Sequence, residues 1–525
     1  MTTHHAGSAT STGAADAPLR STTRPPELER DLFIANQWRP SSTGQTIGLV
    51  NPATEQPFGR AAAASAGDVD AAVQAARTAF DTGPWPRLSL QERAAALLRF
   101  ADALEADLEP LAELVMRETG LPWREGIGGT RSMTTMLRYY AGLADHIELV
   151  ERRQGITGVT ASIEKVPLGV VASIVPWNGP ISMASVSLPA ALLAGCTMVL
   201  KPSELTPLSA GYLADAALAA GLPPGVLNVI PARPAESGAL VRHPGVNKIA
   251  FTGSTATGRT IAAAAAATLK HVSLELGGKA AALVLDDAPV QHLVETMMPA
   301  ILFNNGQMCI QPARLVIPEY RKDEIVAAFA EAFARVVVGP PDASGTELGP
   351  LISRRQYDHA MSVLKSAAED GGRFVTGGGR PPGLDTGFYV APTIITDVSP
   401  RSRVGQEEIF APVMVVFTYA SEEEALQIVN DVEYGLNDAV YSADVNRAMA
   451  IARRMQSGTI NINNGMFADP AIPFGGVKQS GSGPENGPEG LDIYFETHVI
   501  YLDAGVFQGM RRVKPATVVQ TSVQH

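Results

Sequence analysis

The sequence predicts an α/β protein built from doubly wound sheets. Short apolar runs alternate with segments of helical periodicity along most of the chain, and 49 glycines and 38 prolines are spread over many short connections. A length of 525 residues is more than one ordinary hydrophobic core requires, so we expect two or three domains.

The composition excludes several classes of protein. A formal net charge of -12 argues against nucleic acid or an anionic membrane surface as a partner. Two cysteines in so long a chain indicate a reducing compartment, and no signal peptide or transmembrane run is visible. We therefore expect a cytoplasmic protein without a metal site.

The N-terminal part of the chain predicts a polar tail followed by helices. Residues 1–28 are rich in Ser, Thr, Ala and Pro and are expected to be disordered. A transit peptide, or weak metal binding by His4 and His5, is the alternative for this tail. After a short strand that ends in a turn at 50–54, apolar residues recur at helical spacing over 64–80, 89–105 and 108–119.

Strands and helices then alternate. Residues 167–175 form a continuous apolar run, which is typical of a strand buried on both faces of a parallel sheet. The pattern that follows predicts helices over 185–194, 209–219 and 261–269, and strands over 197–200, 226–230 and 248–251.

A second alternating set follows Gly277-Gly278, where we place a domain boundary. It predicts strands over 281–285 and 314–317 and helices over 291–303 and 322–336. Residues 494–502 predict a last strand that needs a partner, which another subunit could supply.

Cys309 is a candidate nucleophile. It ends the polar segment Asn304-Asn305-Gly306-Gln307-Met308-Cys309, and thiolate chemistry requires an accessible, tuned sulfur. The alternative is a small buried hydrophobe, the reading we favour for Cys196 beside the strand at 197–200.

Two segments are suited to a dinucleotide. The turn from Gly253 to Gly258 joins a strand to a helix, where glycines admit a ligand and the helix N-terminus favours a phosphate. Its spacing almost matches a P-loop, except that Arg259 replaces the lysine, and a Gly-rich helix cap is the alternative. Glu204, after Lys201 at a strand end, can accept both ribose hydroxyls and repel a 2′-phosphate, or can simply complement a helix N-terminus.

Glu275 and Asn178 are the remaining candidates. Glu275 lies between two leucines and precedes two glycines, and burial would raise its pKa towards that of a general base. A paired core carboxylate is the alternative. Asn178 follows the apolar run 167–175, where its amide can donate to a developing oxyanion or serve an ordinary turn.

Together these segments resemble the aldehyde dehydrogenase superfamily over about residues 30–503. The resemblance is carried, in the family's order and spacing, by Pro176-Trp177-Asn178, Lys201-Pro202-Ser203-Glu204, Phe251-Thr252-Gly253-Ser254-Thr255, Glu275-Leu276-Gly277-Gly278-Lys279, Gly306-Gln307-Met308-Cys309, Glu408-Ile409-Phe410-Ala411-Pro412 and Pro473-Phe474-Gly475-Gly476.

The resemblance implies NAD-dependent oxidation of an aldehyde to a carboxylic acid. It implies that Cys309 is the nucleophile, that Asn178 and the Cys309 N–H form an oxyanion hole, and that Glu275 activates the hydrolytic water. This glutamate is typically absent from the CoA-acylating branch. Glu204 favours NAD over NADP. The implied cofactor contacts are Val175, Pro176, Trp177, Lys201, Glu204, Gly253, Ser254, Thr255, Gly258, Leu276, Glu408 and Phe410.

The resemblance also implies two Rossmann-like domains with a small β oligomerisation arm, in a homodimer or homotetramer. The implied boundaries are 29–148 with 168–277 for the NAD-binding domain, 278–482 for the catalytic domain, 149–167 with 483–510 for the arm, and 511–525 for a C-terminal tail.

The chain departs from the family at a few positions. Ala280-Ala281-Ala282 stands where many members have Ser-Pro-Asn, Pro484 replaces an arginine and His498 replaces a lysine. We expect these changes to affect packing or subunit contacts and not the chemistry.

The sequence says less about the substrate. Met308, Ile310 and the segments 179–183 and 465–468 are mostly apolar and carry no Arg or Lys, which predicts an uncharged aliphatic or aromatic aldehyde over a semialdehyde acid. Asp469 leaves a cationic aminoaldehyde open. The rival functions are a P-loop phosphotransferase built on 253–260 and a catalytically silent NAD-binding or structural protein.

Overall fold

The computed structural model describes residues 26–502. The predictions for residues 1–25, including His4 and His5, and for 503–525 lie outside the described residues.

The strands β1 to β23 are, in chain order, Glu29–Arg30, Leu32–Ile34, Gln37–Arg39, Thr46–Val50, Pro57–Ala62, Val150–Gln154, Thr160–Pro167, Val170–Ile174, Thr197–Lys201, Leu227–Val229, Lys248–Thr252, His271–Glu275, Ala281–Val284, Arg314–Pro318, Arg373–Thr376, Thr393–Thr396, Val413–Tyr419, Tyr434–Gly435, Asn437–Tyr441, Thr459–Ile462, Val477–Lys478, Gly481–Ser482 and Phe495–Leu502.

The helices α1 to α15 connect these strands. They are, in chain order, Ala66–Asp81, Leu90–Glu105, Leu108–Thr119, Trp123–Leu143, Pro180–Ala194, Ser209–Ala219, Pro234–Arg242, Thr255–Ala265, Val290–Leu302, Lys322–Ala334, Arg354–Glu369, Arg403–Gln406, Glu422–Asn430, Val445–Ala452 and Gly487–Asp492. Within the described range, no helix is both long and apolar enough to cross a membrane.

The first large sheet has eight strands in the order β22-β12-β11-β8-β9-β10-β2-β3. Its central strands β12, β11, β8, β9 and β10 are parallel, and β8 is completely buried, as its apolar run predicts. The chain adds strands on one side of β8 and then returns to add β11 and β12 on the other. The loops after β8 and β11 therefore flank a topological switch point, where open α/β sheets bind ligands.

The second large sheet has seven strands in the order β15-β16-β17-β14-β13-β19-β20 and is parallel except at β15. The chain passes from β12 of the first sheet through Gly277-Gly278 directly into β13 of the second. The segments that precede β13, β14 and β17 therefore face the carboxyl ends of the first sheet. The candidate site lies between the two sheets.

The last strand has a partner in its own chain. β23 pairs antiparallel with β7 from Phe495↔Pro167 to Leu502↔Thr160, and β6 completes a three-stranded sheet. The residue pattern predicted neither β6 nor β7, although the β arm implied by the family resemblance already groups 149–167 with 483–510. Val499, Ile500 and Tyr501 of β23 remain exposed.

The structure contains elements that the sequence analysis missed. The helix α4 includes Gly126, Gly128 and Gly129, which have low helix propensity, but it packs on α2, α3 and α5. The helix α7 and the strand β12 were also not predicted. β12 is short and partly polar, and it is held by pairing with β11 in full register.

The helix predicted over 261–269 begins earlier and ends earlier, as α8 at Thr255–Ala265. Threonines and a glycine obscure its first turn in the sequence. Ser254 caps this turn, since its side chain accepts a hydrogen bond from the Thr257 N–H at 3.3 Å. Leu269, at φ +53°, ends the following turn.

Candidate active site

A cavity of about 230 Å³ lies between the two large sheets. Cys309, Asn178 and Glu275 all line it, although 131 residues of sequence separate the outermost two. Asn178 follows β8, Glu275 ends β12 and Cys309 precedes β14. The fold thus brings together the three residues that the sequence marked as candidates for chemistry.

Three consecutive left-handed residues shape the loop that carries Cys309. Asn304, Asn305 and Gly306 have φ values of +59°, +56° and +73°. Asparagine tolerates this conformation better than most residues, and glycine adopts it freely. The loop consequently turns sharply at the end of α9 and directs Cys309 towards Asn178 and Glu275.

Buried amide side chains hold this loop in place. Asn305 donates to the carbonyls of Gly120 and Pro350, both at 2.9 Å, and accepts from the Gly349 N–H at 2.7 Å. Asn304 donates to the carbonyls of Asn178 and Gln307. Each buried polar group of the loop therefore has a defined partner, which makes alternative loop positions costly.

Asn178 presents its amide to the same loop. Its Nδ2 donates to the Gln307 carbonyl at 2.9 Å and lies 3.6 Å from the Met308 sulfur. An amide nitrogen has two hydrogens, and the one not donated to Gln307 has only this weakly accepting sulfur, so it can turn to a negatively charged oxygen formed beside Cys309. Asn178 is buried, which strengthens such a hydrogen bond.

Glu275 meets the condition that the sequence analysis set for a raised pKa, namely burial. Its side chain is buried, and neither carboxyl oxygen has a hydrogen-bond partner in the described part of the chain. Burial raises its pKa well above the usual value, and the nearby Glu485 carboxyl raises it further. Burial also raises the pKa of Glu485, while Lys248 acts in the opposite direction.

The Cys309 sulfur lies in an environment that favours the neutral thiol. The residue keeps part of its surface exposed to the cavity. Burial raises the pKa of the thiol, and the carboxyl groups of Glu408 and Glu275 raise it further. A thiolate at this position therefore requires additional positive charge or hydrogen-bond donors near the sulfur.

Glu408 packs beside the two glycines that separate the sheets. It accepts the Gly278 N–H at 3.0 Å, and its other oxygen would lie 2.6 Å from a methyl group placed on Gly277. Burial raises the pKa of Glu408 to about 7, whereas the Gly278 N–H and Lys279 act against this. Only glycine at 277 leaves room for the carboxylate.

Lys279 is a buried residue to which the sequence analysis gave no role. Its Nζ has no hydrogen-bond partner among the described residues. Burial lowers its pKa to about 7, Arg314 lowers it further, and Glu408 and Glu407 favour the charged form. Glu408 and Lys279 are therefore mutually dependent, since each favours the ionised state of the other.

Phe410 forms one wall of the cavity in an uncommon conformation. Its φ is +57°, and its ring meets that of Trp177 edge to face with centroids 5.4 Å apart. The Gln356 amide donates to the carbonyls of Ile409 and Phe410 at 2.9 and 3.0 Å. These bonds from α11 hold the strained backbone in place.

Of the predicted cofactor contacts, seven line the cavity: Pro176, Trp177, Gly253, Ser254, Leu276, Glu408 and Phe410. The other five, Val175, Lys201, Glu204, Thr255 and Gly258, do not. Val175 and Lys201 are joined by a backbone hydrogen bond at adjacent strand ends. Burial lowers the pKa of Lys201, whereas Glu204 acts in the opposite direction.

Thr255 and Gly258 have packing contacts. Thr255 donates its hydroxyl to the Gln479 carbonyl at 3.1 Å, and Gly258 faces the Leu276 side chain so closely that a methyl group would lie 2.5 Å from it. Arg259, the substitute for the P-loop lysine, points to Glu433 and Gln479 at 3.0 and 2.9 Å. Arg259 is therefore not directed towards a phosphate in this turn, which argues against the P-loop hypothesis.

Thr252, Arg355, Gln356 and His359 also line the cavity but were not selected from the sequence, whereas Met183, which lines it too, belongs to the apolar segment 179–183 that was. Arg355, Gln356 and His359 belong to α11, for which no prediction was made. In the sequence, Ser353 could have indicated the start of α11, because its hydroxyl caps the helix by accepting a hydrogen bond from the Gln356 N–H at 3.2 Å.

The site residues fit a dinucleotide. The capped N-terminus of α8 offers backbone N–H groups to a phosphate, Gly253 leaves the approach open, and Glu408 offers a buried carboxylate for sugar hydroxyls. A cavity of about 230 Å³ is small for a whole dinucleotide and suits one ring and its sugar. Glu204 lies on the same sheet edge, after β9, for the second ribose.

A larger cavity of about 670 Å³ lies behind the nucleophile loop, between Trp123 and Phe303. It contains none of the predicted site residues. Glu125 lines it and accepts the Asn304 N–H at 2.8 Å, and burial raises the pKa of this carboxyl to about 7. Glu125 is thus one more support of the Cys309 loop.

Comparisons with known proteins identify one family. The profile of the aldehyde dehydrogenase family matches residues 38–500. Geranial dehydrogenase of Castellaniella defragrans is 42% identical over 90% of this chain and 98% of its own, and a chloroplastic aminoaldehyde dehydrogenase of Arabidopsis thaliana is 38% identical over 91% and 97%. The crystal structure of a Mycobacterium tuberculosis aldehyde dehydrogenase complexed with NAD+ superposes with a TM-score of 0.89 at 40% identity, covering 91% of this chain and 99% of that one.

The glycine at 278 provides a test of the loop geometry. A methyl group there would overlap the Cys309 carbonyl oxygen. We expect Gly278→Ala to lower turnover by about a hundredfold, since a displacement of about 1 Å can have that effect. The control is Gly128→Ala, because that position in α4 has open space around it. Equal turnover of the two variants would contradict the proposed contact.

Proposed function

The chain belongs to the aldehyde dehydrogenase family and is an NAD-dependent aldehyde dehydrogenase. On this premise we propose that Cys309, Asn178 and Glu275 convert the aldehyde to a carboxylic acid through a thioester. The observation that carries this proposal is the convergence of a thiol, an amide donor and a buried carboxyl on one small cavity.

The first half of the reaction belongs to Cys309 and Asn178. The Cys309 thiolate attacks the carbonyl carbon, and the second hydrogen of the Asn178 amide and the Cys309 N–H stabilise the resulting oxyanion. When the carbonyl re-forms, a hydride leaves the carbon and a thioester remains on the sulfur. When bound, NAD+ accepts this hydride and contributes a positive charge that favours the thiolate.

The second half belongs to Glu275. Its two free carboxyl oxygens can position a water molecule against the thioester and take a proton from it. The thiolate then leaves, and the carboxylic acid is released. The raised pKa of Glu275 makes it a stronger base than an ordinary carboxylate once it is deprotonated.

The organisation of the chain follows from the same premise. We propose that 29–148 with 168–277 form the NAD-binding domain, that 278–482 form the catalytic domain, and that 149–167 with 483–510 form an arm for a homodimer or homotetramer. The exposed apolar side chains of β23 support the arm. A cytoplasmic location belongs to this proposal and is supported by the low cysteine content.

The cavity supports an uncharged aldehyde as the substrate. Met183 lines it and Met308 and Ile310 flank the nucleophile. The similarity to a geranial dehydrogenase supports the same class. The alternative is a cationic aminoaldehyde, which the carboxyl group of Asp469 leaves open.

The two cysteines of the chain provide a matched test of the nucleophile. We expect Cys309→Ala to abolish NADH formation while NAD+ binding persists, because the sulfur forms the covalent intermediate. Cys196→Ala removes the other thiol, which is buried and donates to the Tyr494 carbonyl, and should keep its turnover. NADH absorbance and calorimetry measure the two properties. Normal turnover of Cys309→Ala would disprove the mechanism.

The pH dependence tests the role of Glu275. A base with a raised pKa is mostly protonated below that pKa, so thioester hydrolysis should become faster as the pH rises through it. Glu275→Gln should slow hydrolysis by about a hundredfold or more and remove this rise, but it should keep a stoichiometric burst of NADH. Stopped-flow absorbance separates the two phases. Glu331→Gln, at an exposed helix position, is the control.

A panel of substrates and cofactors tests the specificity. We expect kcat/KM for a medium-chain aldehyde to exceed that for succinic semialdehyde by about tenfold or more, because Met308 and Ile310, which flank the nucleophile, offer no partner for a carboxylate. NAD+ should be preferred over NADP+ because Glu204 repels a 2′-phosphate. A preference for an aminoaldehyde would favour the alternative, and a preference for the semialdehyde would contradict both.

A further inference from the structure

The cofactor cavity contains a cationic side chain without a partner. Arg355 lines the cavity, is exposed, and forms no ion pair or hydrogen bond with any residue between 26 and 502 that the structure describes. The only other lining residue that can become positive is His359, whose Nε2 lies 3.3 Å from the Glu408 carbonyl. A free guanidinium at this position is available to an anionic ligand that enters the cavity.

The helix that carries Arg355 is fixed to the cavity wall. Arg355 lies in the first turn of α11, next to Gln356, which is anchored to the Ile409 and Phe410 carbonyls. The neighbouring Arg354 points elsewhere, since it pairs with Glu55 at 2.8 Å and lies over the ring of Phe388. The two adjacent arginines thus have different surroundings, and only Arg355 lines the cavity.

The other ionisable groups of the cavity would give it a negative charge, which disfavours a diphosphate. Glu275 and Glu408 both line the cavity, and Arg259 beside the phosphate turn is paired with Glu433. A diphosphate that enters would meet two carboxyl groups, with only the N-terminus of α8 to compensate. Guanidinium groups bind phosphate oxygens through paired, charge-assisted hydrogen bonds.

We propose that Arg355 binds the diphosphate of the dinucleotide cofactor. This inference rests on the proposed NAD-dependent function and adds a residue to it. The N-terminus of α8 then contacts the diphosphate through backbone N–H groups, and Arg355 supplies the positive charge that Arg259 does not.

Calorimetry on the full-length protein tests the proposal without turnover. We expect Arg355→Ala to raise the Kd for NAD+ by about tenfold, and the Kd for ADP-ribose by the same factor, because both ligands contain the diphosphate. Arg355→Lys should recover part of this loss. The Kd of the wild type should rise with ionic strength more steeply than that of Arg355→Ala.

Arg354→Ala and Arg259→Ala are the matched controls, and neither should change the Kd by more than about twofold. A Kd that is unchanged in Arg355→Ala, or raised only in Arg259→Ala, would overturn the proposal. A loss confined to the KM of an anionic aldehyde would instead make Arg355 a substrate contact and would also overturn it. If the wild-type protein binds NAD+ but oxidises no aldehyde, the proposed function is wrong, whereas the proposal that Arg355 binds the diphosphate is still supported by the Kd values.

Discussion

The position of Cys309 depends on a backbone that runs through the left-handed region for three residues. Asn304, Asn305 and Gly306 can adopt it at low cost, and buried amide hydrogen bonds then fix it. Gly278 lets the loop approach the linker between the sheets. Because Asn304 also holds the carbonyl of Asn178, the nucleophile and the oxyanion donor are located by the same residue.

The second constraint is electrostatic. Glu275, Glu408 and Glu485 lie in low-dielectric surroundings that raise their pKa values, and Lys279 is buried with a lowered pKa. Burying such groups costs stability, and groups with shifted pKa values are concentrated at functional sites. Here their charges depend on one another, so that ligand binding and proton transfer at the site are linked.

The sequence predicted the catalytic candidates and many of the alternating elements up to residue 336, because Cys309, Glu275 and Asn178 stand in motifs with unusual local composition and β8 reads as a buried strand. It predicted no element between 337 and 493, where five strands of the second sheet lie. It did not predict α4, whose glycines are tolerated only by packing on neighbouring helices. Nor did it reveal Arg355, whose chemistry depends on which of two adjacent arginines faces the cavity. That orientation is fixed by tertiary contacts of α11, which no local pattern encodes.

The central claim is that the aldehyde becomes covalently attached to Cys309 and leaves as an acid. Rapid quenching of the wild-type protein with aldehyde and NAD+, followed by peptide mass spectrometry, tests it most directly. The account predicts a transient acyl group on the peptide that contains Cys309, which increases the mass of that peptide by the mass of the aldehyde less two hydrogens. NADH formation with no such adduct, or with the adduct on another residue, would contradict it.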